Sequence, residues 1–110
     1  MKAALISLAL LLVQMNSLQD KPVAHLPVHA SVIDTQFGGK LLELINAPAQ
    51  LLLPAIPPKV DSQGAPWSVD VKNLGPSAVT ITGKAQFSVR ISVGQTIHIF
   101  SNGTIYTLKH

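Results

Sequence analysis

The sequence predicts an all-β protein: a small antiparallel β-sandwich or barrel-like module behind an N-terminal apolar, signal-like helix. Two observations carry that expectation. Residues 67–108 place apolar side chains at every second position between turn signals, the period of a half-buried strand. Residues 3–13 (AALISLALLLV) follow Met1-Lys2, giving the charged start and short apolar core of a secretory leader.

Each β element has its own justification. Trp67, Val69 and Val71 alternate with Ser68, Asp70 and Lys72, and Asn73-Leu74-Gly75-Pro76 then turns the chain. Val79 and Ile81 alternate with Thr80 and Thr82 up to a break at Gly83. Phe87, Val89, Ile91 and Val93 alternate with Ser88, Arg90 and Ser92 up to Gly94. Residues 96–100 and 105–109 flank Asn102-Gly103, a pair suited to a two-residue type I′ hairpin because both central positions need positive φ. Counting outward from that turn sets Phe100 opposite Ile105, Ile99 opposite Tyr106, His98 opposite Thr107 and Ile97 opposite Leu108. Ile97, Ile99, Tyr106 and Leu108 then share the core face. Phe100 and Ile105 form an apolar pair on the other face, a candidate interaction surface.

Upstream, the organisation is looser. Residues 1–19 read as a signal peptide or an uncleaved apolar helix, too short to span a bilayer comfortably. Cleavage after Ser17 or Gln19 lacks an Ala-x-Ala context, and without cysteine there is no lipoprotein anchor. Membrane contact is expected only through that segment. Residues 20–30 (DKPVAHLPVHA) read as a Pro-containing linker, since Pro22 and Pro27 oppose helix. Residues 31–110 form the small β domain, with 67–108 as its core. Within it, Val32-Ile33 suits a short strand and Gly38-Gly39 a turn, 40–46 is open between helix and strand, and 50–53 suits a strand ended by Pro54, Pro57 and Pro58. Residues 59–66 read as a polar connection. The inward apolar side chains of 67–108 are few for the ordering entropy of that stretch, so residues 31–54 or another subunit are expected to complete the core.

Composition narrows the function. The 110 residues are 47% hydrophobic and 12% charged, which argues for folding rather than disorder. A formal charge of +3 comes from scattered Lys and Arg without a basic run, so nucleic acid is not an expected partner. No cysteine is present, which removes disulfides, thiolate metal sites and cysteine nucleophiles. His25 and His29 stand at i,i+4, but Pro27 between them opposes the helix that would pair them on a metal. Asp70, Ser88 and His98 can be assembled into a Ser/His/Asp set on outward faces, yet no nucleophile elbow accompanies them. Trp67 and Phe87 fall on inward positions and read as core rather than as a carbohydrate platform. Asn102-Gly103-Thr104 also matches an N-glycosylation sequon. No catalytic residue, cofactor, metal or small-molecule substrate is expected. The expectation is a non-enzymatic structural or interaction protein, secreted or held in the periplasm or envelope, whose partner is itself or another protein.

A resemblance adds a second expectation. Leu53-Pro54, Gly64-x-x-Trp67-x-Val69-x-Val71-x-Asn73-x-Gly75, Val79-Thr80-Ile81, Val93-Gly94-Gln95-Thr96 and Ser101-Asn102-Gly103-Thr104-x-Tyr106 are similar to short β-segments of bacteriophage tail-fibre and other virion structural proteins. The resemblance covers residues 51–108. It implies a structural role without chemistry, often as a homotrimer, in a virion. The chain departs from that pattern in lacking a long fibrous repeat and in carrying the leader.

Overall fold

A computed structural model of the chain describes residues 21–109. The leader expected at 1–19 lies outside the described residues. Among the described residues no helix is long and apolar enough to cross a membrane.

Eight strands make two sheets: β1 (Val23–His25), β2 (Leu41–Leu44), β3 (Gln50–Leu52), β4 (Ser68–Asn73), β5 (Val79–Gly83), β6 (Phe87–Ile91), β7 (Thr96–Ser101) and β8 (Tyr106–Lys109). The larger sheet runs β1-β2-β4-β7-β8 and the smaller runs β3-β5-β6. All-β character is as expected, and the strands of the 67–108 stretch form close to where the alternation places them, except that β6 ends at Ile91 and Val93 lies exposed in the turn beyond it. The residues 40–46, open between helix and strand, hold β2. Within the expected linker at 20–30, whose described part begins at residue 21, Val23–His25 is built into the fold as a strand paired parallel to β2, and residues 27–30 form a turn.

Purely antiparallel pairing is corrected. β1–β2, β2–β4 and β3–β5 are parallel, while β4–β7, β5–β6 and β7–β8 are antiparallel. The chain passes from β2 in one sheet to β3 in the other, back to β4, and over again to β5. β2 and β4, and β3 and β5, become parallel neighbours after such a crossing, with the intervening chain supplying the long connection that parallel pairing requires, whereas β4 and β7, separated by β5 and β6 of the smaller sheet, pair antiparallel. Alternation reports which residues face inward but not which sheet a strand joins.

The inner faces enclose one core. Val69, Val71, Ile97 and Ile99 from the larger sheet meet Ile81 and Ile91 from the smaller. Ile33, Phe37, Leu42, Leu44, Leu51 and Leu53 are buried in the same cluster. The missing packing therefore comes from residues 31–54 of the chain itself. Trp67 is fully buried, and its Nε1–H donates to the Thr35 carbonyl (2.9 Å), which holds the 3₁₀ turn Thr35–Phe37 against β4. Gly38 lies under the indole so closely that any Cβ there would overlap it.

Asn73, at the end of β4, is 1% exposed and has every polar atom partnered. Its Nδ2 donates to the carbonyls of Ser77 (2.8 Å) and Ile91 (3.0 Å), and its Oδ1 accepts from Gly75 N–H (2.9 Å). Its backbone N–H donates to Gln95 and its carbonyl accepts from Gly94. One side chain thus joins the larger sheet, the 74–77 turn and the last residue of β6 in the smaller sheet. Replacing it with Leu strands the buried Gly75 donor and the Ile91 carbonyl away from water and removes the partner of the Ser77 carbonyl, so Asn73→Leu is expected to lower stability by about 3 kcal/mol. Urea unfolding followed by the fluorescence of the single tryptophan measures this; a loss below about 1 kcal/mol would show that water replaces the amide.

Candidate functional site

The β7–β8 hairpin carries the residues singled out by the sequence, and its geometry differs from the expected one. Ser101 pairs with Tyr106, Phe100 with Thr107, Ile99 with Leu108 and His98 with Lys109. The type I′ turn is not formed, since Gly103 (φ 91°) has positive φ and Asn102 does not. Instead the Asn102 side-chain oxygen accepts from the N–H groups of Thr104 (2.8 Å) and Ile105 (2.9 Å), drawing four residues into the loop. The register moves by two residues along β8. Because side chains alternate with period two, that shift changes every partner and leaves every face unchanged. Ile97, Ile99 and Tyr106 are accordingly buried and Leu108 half-buried, as expected.

Phe100 and Ile105 are therefore not a cross-strand pair. Phe100 sits half-buried on the outer face between Ser68 of β4 and Thr107 of β8, with the Lys109 ammonium 5.1 Å from its ring centroid. Ile105 belongs to the loop and is 39% exposed. Phe100 forms one wall of a groove of about 430 Å³, completed by Lys59, Val60, Pro66, Asn102 and Thr107. The opposite wall comes from the 59–66 connection, which is shaped by a Val60–Pro66 bridge and by Asp61, whose carboxylate accepts from Gln63 and Ala65 N–H. Ser101 links the two walls by donating its hydroxyl to the Pro58 carbonyl. Val60, 51% exposed, stands on the rim. The polar composition of 59–66 hides this wall from the sequence; only Val60 and Pro66 hint at it.

A second cluster lies on the outer face of the larger sheet. Register aligns His25, Glu43, Lys72 and Thr96 in one row and Leu41, Asp70, His98 and Lys109 in the next. His98 Nδ1 lies 2.7 Å from Asp70 Oδ1, and Lys21 Nζ lies 3.0 Å from Asp70 Oδ2. His25 Nε2 lies 3.1 Å from Glu43 Oε1. The structure thus unites Asp70 with His98 but leaves Ser88 on β6 of the other sheet, opposite Thr82. Asp70 is committed to both Lys21 and His98, which makes this a polar cross-strand ladder. His29 lies apart from His25's partner, in a turn with φ 68°. Among the described residues no three His, Asp or Glu side chains converge as a metal site would need.

Comparison with protein-family models, with curated proteins and with solved structures finds no match to this chain. The reading of the site therefore rests on its geometry.

The groove has a rigid foundation. Tyr106 starts β8 beneath it, its ring tilted against Phe87 (5.9 Å between centroids) and edge-on to Trp67 (6.4 Å), with its hydroxyl donating to the Pro54 carbonyl (2.6 Å). Phe87 and Trp67 are both packed in or against the core, as expected. Burial pushes the Tyr106 phenol up to about 12 from its ordinary 10.0. The unfolded chain loses the phenolic proton first, so this contribution to stability is complete below pH 10.0 and is lost as pH rises towards about 12. Since this is the only tyrosine, phenolate absorbance of the folded protein is expected to rise around pH 12, with urea stability declining from pH 10.0 upward. A folded-state titration at the ordinary tyrosine value would contradict the buried placement of the hydroxyl.

Proposed function

We propose that this chain is a non-enzymatic, exported or envelope-associated β-sandwich protein that works by self-association through the end of the module built by the β7–β8 hairpin. The observation that carries the reading is that the Phe100 groove and an exposed apolar knob, Ile105, belong to the same hairpin. A knob and a groove at one end of a molecule suit a two-fold pair, in which each copy's Ile105 enters the other's groove and both contacts close at once. That geometry favours a dimer over the trimer implied by the phage resemblance. The groove offers what such a contact needs: the Phe100 ring, Val60 and Pro66 as apolar surface, with Lys59, Asn102 and Thr107 as a polar rim. Export is supported by the charged, apolar start of the sequence. The resemblance of residues 51–108 to tail-fibre segments supports a second reading, a virion structural component, in which the same surface joins copies of the chain; flanking tail or capsid genes would favour it.

Light scattering on the purified protein tests the association. The wild-type mass is expected to be twice that of the chain, and the double variant Phe100→Ser/Ile105→Ser is expected to have the mass of one chain, with tryptophan fluorescence unchanged because Trp67 lies away from the altered face. A monomeric wild type, or a variant that stays dimeric, contradicts the proposal.

A further inference from the structure

The 102–105 loop, which supplies Ile105 and the Asn102 rim to the proposed contact, contains a second arrangement. Four asparagines occur in the chain, followed by Ser17, Ala47, Leu74 and Gly103. Only Asn102 precedes a residue with no side chain to hinder approach of its backbone nitrogen to the preceding carboxamide. Asn102 is exposed, and both partners of its side-chain oxygen are N–H donors, at 2.8 and 2.9 Å. Two donors on one carbonyl oxygen polarise the carbon and stand where negative charge grows when a nucleophile adds, the arrangement of an oxyanion hole. The Gly103 N–H is itself directed at the Ser101 hydroxyl oxygen (3.3 Å), whose own proton is given to the Pro58 carbonyl. The Ser101 oxygen thus faces the amide with lone pairs and draws on its proton. Electrophile, nucleophile, a hydrogen-bond acceptor that orients and polarises the nucleophile's N–H, and oxyanion donors lie within five consecutive residues.

The geometry points to Asn102 as a self-modifying site, at which the folded loop promotes its own deamidation. Hydroxide takes the proton of the Gly103 nitrogen, which bonds to Cγ of Asn102; the Cγ–Nδ2 bond breaks and Nδ2 takes a proton from water and leaves as ammonia, giving a succinimide ring and regenerating the hydroxide. Water then adds to either ring carbonyl, opening it to aspartate or isoaspartate, with no oxidant, reductant or enzyme required. The aspartate product keeps an acceptor for the Thr104 and Ile105 N–H groups and strengthens it with charge. The isoaspartate product lengthens the main chain within a four-residue loop. Either product places a carboxylate on the rim of the groove, beside the Lys59 stem against which Gly103 packs. Asn73, the buried asparagine, has its amide fully engaged and stays intact.

Peptide mapping by mass spectrometry after incubation at mildly alkaline pH tests the site, comparing the folded protein with the same chain unfolded in urea. Asn102 is expected to convert several-fold faster in the folded protein, and Ser101→Ala is expected to slow it while circular dichroism stays unchanged. A folded-state rate equal to or below the unfolded rate overturns the proposal, as does a folded Ser101→Ala protein that converts as fast as wild type. Where Ser101→Ala does not fold, the wild-type comparison decides alone.

Discussion

A carboxamide sealed inside a two-sheet β-protein must find partners there, and the Asn73 side chain finds them in the turn that follows β4 and at the end of β6 in the smaller sheet. Its donors reach the 74–77 turn and the end of β6, and its acceptor takes the Gly75 N–H. The neighbouring backbone extends the tie, since Leu74 N–H donates to Leu44 and Asn46 N–H to Gly75. β2, β4, β6 and two turns therefore meet at one residue. Apolar burial drives the sheets together without direction, whereas this network selects how they meet, because a displaced sheet would leave several polar groups unpaired.

The second condition is the contribution of residues 31–54. The stretch 67–108 supplies alternating strands but too small an inner surface for an independent core. Ile33, Phe37, Leu42, Leu44, Leu51 and Leu53 close it from the far side, and the Trp67–Thr35 hydrogen bond fixes how they approach. The chain reaches this arrangement by crossing between sheets from β2 to β3, from β3 to β4 and from β4 to β5, which gives the parallel β2–β4 and β3–β5 pairings.

What could be read from the sequence follows from these facts. Period-two alternation is local, so β4 to β8 and the burial of Trp67, Ile97, Ile99 and Tyr106 were legible. Partner choice is not local. The parallel pairings, the recruitment of Val23–His25 as a strand, and the groove wall at 59–66 all depend on segments that meet only in the folded chain. The hairpin is instructive because Asn102-Gly103 has two uses: a tight turn with positive φ at both residues, or an Asx turn in which the carboxamide captures two N–H groups. The second prevails here, shifting the partners by two residues while keeping the faces, so Phe100 was correctly placed outward and wrongly paired with Ile105. Asp70 and His98 meet because β4 and β7 are neighbours, and Ser88 does not because β6 belongs to the other sheet. The polar ladder that results shares the outer face with the Val23–Leu41 pair at one edge and the apolar hairpin end at the other.

The central structural claim is that residues 31–54 and 67–108 form one cooperative unit tied at Asn73. Native-state hydrogen exchange across a urea series tests it most directly, using the amides of Leu53, which donates to Thr82, and of Gly75, which donates to the Asn73 side chain. Both amides are expected to open only with global unfolding, at one free energy and with one urea dependence. A Leu53 amide that opens at a lower free energy, with a shallower urea slope than Gly75, would show that the first half of the fold separates from the second and would contradict the account.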